Sequence, residues 1–128
     1  MKSYLLARIH SFGYAFKGIY TLFVTQPNAQ IHLLAIVVIS LMGWFLGLSA
    51  TEWCLIIICM AMVLMAEGIN TAIEFIVDLV SPDHHPLAGK AKDVGAAAVL
   101  LSVIICGIVW GIIYIPKIMD WLTIIRDS

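Results

Sequence analysis

The sequence predicts an all-α integral membrane protein: an N-terminal amphipathic surface helix followed by three transmembrane helices in one unit spanning 1–128. Three observations carry this expectation. The 128 residues are 62% hydrophobic and only 12% charged, about half the charged share of an ordinary soluble domain. No Lys or Arg occurs between Gly18 and Gly89. Long apolar runs alternate with short Pro-, Gly- and Ser-containing breaks, which leaves room for about three spans. The net charge of −1 points to no particular partner, and nucleic acid is not expected as one.

The surface helix is expected over 1–26. Leu5, Ile9, Phe12, Phe16, Ile19 and Phe23 recur in steps of four and three, which is one helical stripe. Arg8, His10, Ser11, Tyr14 and Lys17 fall on other faces, the pattern of a helix lying in a membrane interface. Arg8 and His10 also sit where a cleaved leader would need an apolar core. Pro27 ends the helix by disfavouring helical geometry in Gln26.

The first span is expected over 31–48, the second over 50–80 and the third over 90–115. Ser49 and Glu52 have capping-box spacing, so the second helix should start at Ala50. It runs for roughly 30 residues, about 45 Å, more than a bilayer core requires. The 81–89 stretch holds two prolines and a glycine and breaks the chain. The third span is expected to end at Pro116, leaving 116–128 as a short tail. Basic residues sit before the first span and around 90–92, so the N-terminus and the 81–93 loop are expected on the cytoplasmic side of the inner membrane. Cys54, Cys59 and Cys106 have neither redox-pair nor zinc-site spacing and read as buried small apolar residues.

The chemistry gathers in the second half of the second span. On a helical wheel Glu67, Asn70, Thr71, Glu74 and Asp78 share an arc of about 100°. Each carboxylate inside hydrocarbon costs roughly 2.5–3.5 kcal/mol on insertion scales, so the set needs compensation by a cation or by basic groups from another segment. Oxygen donors with spare negative charge suit a hard cation, Mg²⁺ above all. Lys92-Asp93 opens the third helix on the same side, where a lysine and a helix N-terminus can neutralise phosphate oxygens. The same residues also fit a structural polar seam, with Lys92 as an ion-pair partner or interfacial anchor. Asp83, His84 and His85 could ligate a transition metal or form a solvated loop. Neither a GxxxxGK[ST] phosphate loop nor the protein-kinase motif set occurs. Gly43 with Gly47, and Gly107 with Gly111, space small residues for close helix approach. Three spans cannot easily surround a polar seam, so self-association is expected. A cation- or proton-conducting subunit and a non-catalytic assembly partner are the readings from other classes.

The stretch from Glu67 to Asp78 resembles the E-x-[aliphatic]-N-[ST]-A-[aliphatic]-E-x-x-[aliphatic]-D signature of the prokaryotic membrane diacylglycerol kinases and undecaprenol kinases. Ala91-Lys92-Asp93-Val-Gly-Ala-Ala-Ala-Val99 is similar to the family's second block. Ser11-Phe-Gly-Tyr14-Ala-Phe-Lys17-Gly18 and Thr25-x-x-Asn28-x-x-Ile31-His32 resemble its N-terminal pattern. The resemblance covers about 8–116. It implies a homotrimer that moves the ATP γ-phosphate onto a lipid hydroxyl at the cytoplasmic face, with membrane lipids around it. Glu67 would be the catalytic base, Glu74 a Mg²⁺ ligand, and Asn70 and Ala96 support for the acid and the acceptor. Arg8, Tyr14, Lys17, Glu74, Asp83, His84, His85, Lys92 and Asp93 would face the nucleotide, with Thr71 and Asp78 behind them. Gln26 stands where the family usually has a metal-binding glutamate, so its carbonyl would bring a ligand without charge, and Gln30 replaces an expected arginine. The loop after the second span looks more like the undecaprenol branch.

Overall fold

The computed structural model describes residues 2–83 and 85–127, so His84 lies outside the described residues. Four helices follow one another: α1 (Lys2–Thr25), α2 (Pro27–Phe45), α3 (Ala50–Val80) and α4 (Pro86–Arg126). The last three are long and apolar enough to cross a membrane. Their outward residues are apolar: Leu34 and Leu41 on α2, Ile57 and Met65 on α3, and Leu101 and Ile108 on α4 are all exposed. Such a surface is stable only against lipid or another apolar partner.

Pro27 occupies the first turn of α2, where its missing amide costs nothing because that amide would lack a helical partner. The first span therefore begins at Pro27, four residues before the expected start. It ends in a Schellman motif: Gly47 takes φ +65°, while the Leu48 and Gly47 amides reach back to the Gly43 and Trp44 carbonyls at 3.0 and 3.3 Å. A residue with a Cβ would be strained at Gly47.

The capping box at the head of α3 forms as its spacing predicts. The Ser49 amide donates to Glu52 Oε2 at 2.6 Å, and the Glu52 amide donates to the Ser49 hydroxyl at 3.4 Å. α3 then runs unbroken to Val80 and packs antiparallel along α4, the most extensive helix contact in the fold. α2 packs on α3, and α1 on α2.

The core lies at the end of the bundle remote from the acidic face. Ile56 and Met60 of α3 meet Ile113 and Tyr114 of α4, with Leu48 from the turn. The Tyr114 hydroxyl donates to the Ile39 carbonyl at 2.8 Å and so joins α4 to α2. A Cβ at Gly43 would stand 2.9 Å from that hydroxyl and 3.0 Å from Trp53, so the helices meet here only because Gly43 has none. Cys59, Val63 and Cys106 continue the packing toward the middle, which matches their reading as buried apolar residues; Cys54 is exposed.

The end of α4 differs from expectation. The helix passes through Pro116 and continues to Arg126. A proline inside a helix removes one backbone bond and crowds the preceding turn, but contacts on both sides hold this one. Ile113 and Tyr114 are buried before it. After it, Lys117 pairs with Glu52 at 3.3 Å, Ile118 packs on the core, and Trp121 meets Phe45 edge-on at 5.5 Å.

Candidate functional site

α3 carries its polar face into the bundle rather than toward lipid. Glu67, Asn70 and Thr71 are buried, at 2%, 6% and 4% exposure, and Glu74 is half-buried. The i, i+3, i+4, i+7 spacing makes this possible, since those positions stand above one another on a helix. Thr71 turns its hydroxyl back to the Glu67 carbonyl at 2.9 Å. Asn70 Nδ2 donates to Glu74 Oε1 at 3.0 Å.

Two oxygens in this cluster have no hydrogen-bond partner among the described residues: Glu67 Oε2 and Asn70 Oδ1. Buried carboxylate and amide oxygens are rarely left so, because each loses its hydration without replacement. An oxygen held in this way is ready to accept a proton or hydrogen bond from a group that enters the site. The nearest basic atom to Glu67 Oε2 is His32 Nε2 of α2, at 4.0 Å. Asn70 is pinned from the other side by α4. A Cβ built on Gly95 would run into its carboxamide oxygen, so only glycine lets the two helices close here.

One turn further along, the loop and the head of α4 form a second, polar region. Asp78, Ser81, Asp83, His85 and Lys92 line a cleft of about 320 Å³. His85 caps α4 by accepting the Leu87 amide at its Nδ1, 3.2 Å, and Ser81 donates to the Asp83 carbonyl at 3.1 Å. Lys92 Nζ meets Asp78 Oδ1 at 2.5 Å. The acidic end of α3 and the basic start of α4 thus meet, as the charge pattern predicts. The lysine is already paired with one of the acids.

The remaining sequence candidates lie on α4, on α1 and at the α1–α2 junction. Asp93 and Ala96 are exposed on α4. Arg8, Tyr14 and Lys17 are exposed on α1, with the Lys17 ammonium 5.8 Å from the Tyr14 ring centre. Beyond Lys17, Gly18, Thr21 and Leu22 of α1 face Gly68, Thr71 and Phe75 of α3 across an open cleft of about 410 Å³. A larger apolar cleft, about 780 Å³, runs between α3 and α4 past Asn70 and Gly95. Gln26 is half-buried at the α1–α2 junction and makes no side-chain capping bond.

Two contributors were not singled out by sequence reasoning. Gly95 enters there only as a small residue inside the Ala91–Val99 block. His32 reads only as part of an N-terminal pattern, although it is the one ionisable side chain in α2.

Among the described residues no three His, Cys, Asp or Glu side chains converge as a ready metal cage. The donors fit Mg²⁺ of the kind that arrives with a triphosphate, which takes one or two carboxylates from the protein and the rest from phosphate and water.

Three apolar helices, a buried carboxylate face and an adjoining lysine-lined polar cleft define a small helical membrane protein with a site at one end of its bundle. Residues 13–114 match the family described as prokaryotic diacylglycerol kinase. The undecaprenol kinase of Bacillus subtilis (strain 168) is 38% identical over 108 residues, 84% of this chain and 88% of that protein. The diacylglycerol kinase of Escherichia coli (strain K12) is 31% identical over 105 residues, 82% of this chain and 86% of that one. The diacylglycerol kinase of Synechocystis sp. (strain ATCC 27184 / PCC 6803 / Kazusa) is 37% identical over 111 residues, 86% of this chain and 63% of its own length. The chain belongs to the prokaryotic diacylglycerol kinase family. It is a membrane lipid kinase, with ATP as the co-substrate that a kinase implies.

Proposed function

We propose that the protein transfers the γ-phosphate of MgATP to the hydroxyl of a lipid alcohol, undecaprenol in preference to diacylglycerol, at the cytoplasmic face of the inner membrane. Glu67 takes the hydroxyl proton, the freed lipid oxygen attacks the γ-phosphorus, and the bond to the bridging oxygen breaks to release ADP. The observation that carries this reading is the buried, unpartnered Glu67 Oε2. A base must lie within hydrogen-bond reach of the proton that it removes, and this oxygen has an acceptor position unused in a part of the bundle bordered by apolar clefts.

Phosphoryl transfer needs positioning and charge neutralisation above all. Asn70 orients the Glu74 carboxylate. Glu74 and Gln26 would hold Mg²⁺, whose charge offsets that of the phosphate oxygens. Lys92 can exchange Asp78 for a phosphate, and Asp83, His85 and Asp93 lie beside it on the loop and the head of α4. His84 belongs to the same loop by sequence. Arg8, Tyr14 and Lys17 approach the nucleotide from α1, which rests at the interface as an amphipathic helix. Ala96 supports the acceptor side, and Thr71 and Asp78 hold their neighbours in place.

The distribution of Lys and Arg favours a cytoplasmic site. A homotrimer would cover the exposed apolar faces and complete the seam that three spans leave open. The undecaprenol preference draws on the loop sequence and on the 38% identity to an undecaprenol kinase.

Labelled ATP offered with undecaprenol and with dioleoylglycerol in detergent micelles tests this directly. Phosphorylated undecaprenol is the expected main product, and Glu67→Gln should abolish transfer. Wild-type turnover in Glu67→Gln would remove the base. Exclusive phosphorylation of dioleoylglycerol would reverse the acceptor.

A further inference from the structure

We infer that His32 is a positioning residue for the catalytic step: its Nε2 hydrogen holds Glu67 Oε2 toward the acceptor hydroxyl. This rests on the reading of Glu67 as the base.

The inward face of α2 is a stripe of Ala29, His32, Ile36, Ile39 and Gly43, spaced three and four residues apart as one helical face requires. Ala29 and Gly43 are fully or nearly buried, and Ile36 and Ile39 pack on the core. An imidazole in the second position of an otherwise small and apolar stripe has no packing advantage over Leu or Ile. What distinguishes it is what it faces. Its Nε2 stands 4.0 Å from Glu67 Oε2, with the two side chains 18% and 2% exposed. That oxygen is the one buried carboxylate oxygen left without a hydrogen-bond partner among the described residues.

At 4.0 Å the contact is longer than a hydrogen bond. Catalytic hydrogen bonds are often long before substrate arrives and tighten once the site is filled. The remaining distance is about 1 Å, within the reach of a side-chain adjustment in either partner. Two polar neighbours on α3 are engaged elsewhere: Thr71 gives its hydroxyl to the Glu67 backbone carbonyl, and Asn70 gives one of its two amide hydrogens to Glu74. His32 is also anchored where it can act: the α1–α2 junction is tied by Gln30, whose side chain donates to the Phe23 carbonyl at 2.9 Å.

Purified protein in micelles, with undecaprenol and dioleoylglycerol as acceptors, distinguishes this role from simple packing. His32→Leu should lower kcat by about a hundredfold, the usual effect of misplacing a catalytic group by ~1 Å, while KM for ATP stays within about twofold. His32→Gln carries an amide nitrogen close to the Nε2 position and should recover most of kcat. His32→Asn carries its nitrogen near the Nδ1 position and should recover little. These two polar variants keep the test open if the Leu protein fails to fold. Wild-type kcat in His32→Leu, or equal rates in the Gln and Asn proteins, would overturn the inference. Glu67→Gln is measured alongside. If it is inactive while the His32 variants are normal, only the role of His32 falls; if it turns over normally, the base assignment falls first.

Discussion

Asn70 is clasped between two helices: its amide nitrogen donates to Glu74 Oε1 at 3.0 Å on α3, while its oxygen lies against Gly95 of α4. The orientation of the Glu74 carboxylate therefore depends on the absence of a side chain on a different helix.

Gly95→Ala should be among the most damaging small substitutions outside the acids. The added methyl overlaps the Asn70 carboxamide, and overpacking of this kind costs about 1–3 kcal/mol. A lower melting temperature in detergent, with a raised Mg²⁺ requirement for transfer, is the expected outcome. Wild-type Mg²⁺ dependence in Gly95→Ala would mean that the Asn70–Glu74 bond does not orient a metal ligand.

Asp78→Asn should scarcely affect stability. The Lys92–Asp78 pair is 39% and 63% exposed, and exposed pairs contribute about 0–1 kcal/mol. Lys92→Ala should instead raise KM for ATP markedly, because it removes the charge proposed to meet the nucleotide phosphates. Unfolding curves and ATP titrations on the two variants separate these effects, and equal behaviour would contradict the division of roles.

Gln26→Glu should reduce the Mg²⁺ concentration needed for half-maximal transfer, since a charged oxygen replaces a neutral one at the proposed metal position. An unchanged Mg²⁺ titration would remove Gln26 from the site.

Tyr114→Phe should destabilise the detergent-solubilised protein by about 1 kcal/mol, the net value of one hydrogen bond, without changing KM for ATP. The bond lost is the one to the Ile39 carbonyl, at the end of the bundle away from the acids. Thermal unfolding followed by circular dichroism measures it.

Much of this architecture is legible in the chain because membrane spans and caps are local signals. Ser49 and Glu52 mark the start of α3 to the residue, and the wheel positions of Glu67, Asn70, Thr71 and Glu74 place them on a common face by spacing alone. Pro27 ends α1 as its effect on Gln26 predicts, and it also opens α2; Pro116 misleads, since a proline inside a well-packed helix need not end it. Lys92 was legible as a neighbour of the acids, and Asp78 is the one that it meets. His32 and Gly95 were not legible as site residues. Each gains its meaning from a side chain on another helix, 35 positions away for Glu67 and 25 for Asn70, and no pattern within α2 or α4 reports that.

The α3–α4 hairpin is fastened by opposite charges at both extremities, Glu52 with Lys117 and Asp78 with Lys92. A slip of one helix along the other by a single turn is about 5.4 Å and would part both clasps at once. Registry between the acid-bearing helix and its glycine-bearing partner is thereby marked at both watery rims as well as at the Asn70–Gly95 notch between them.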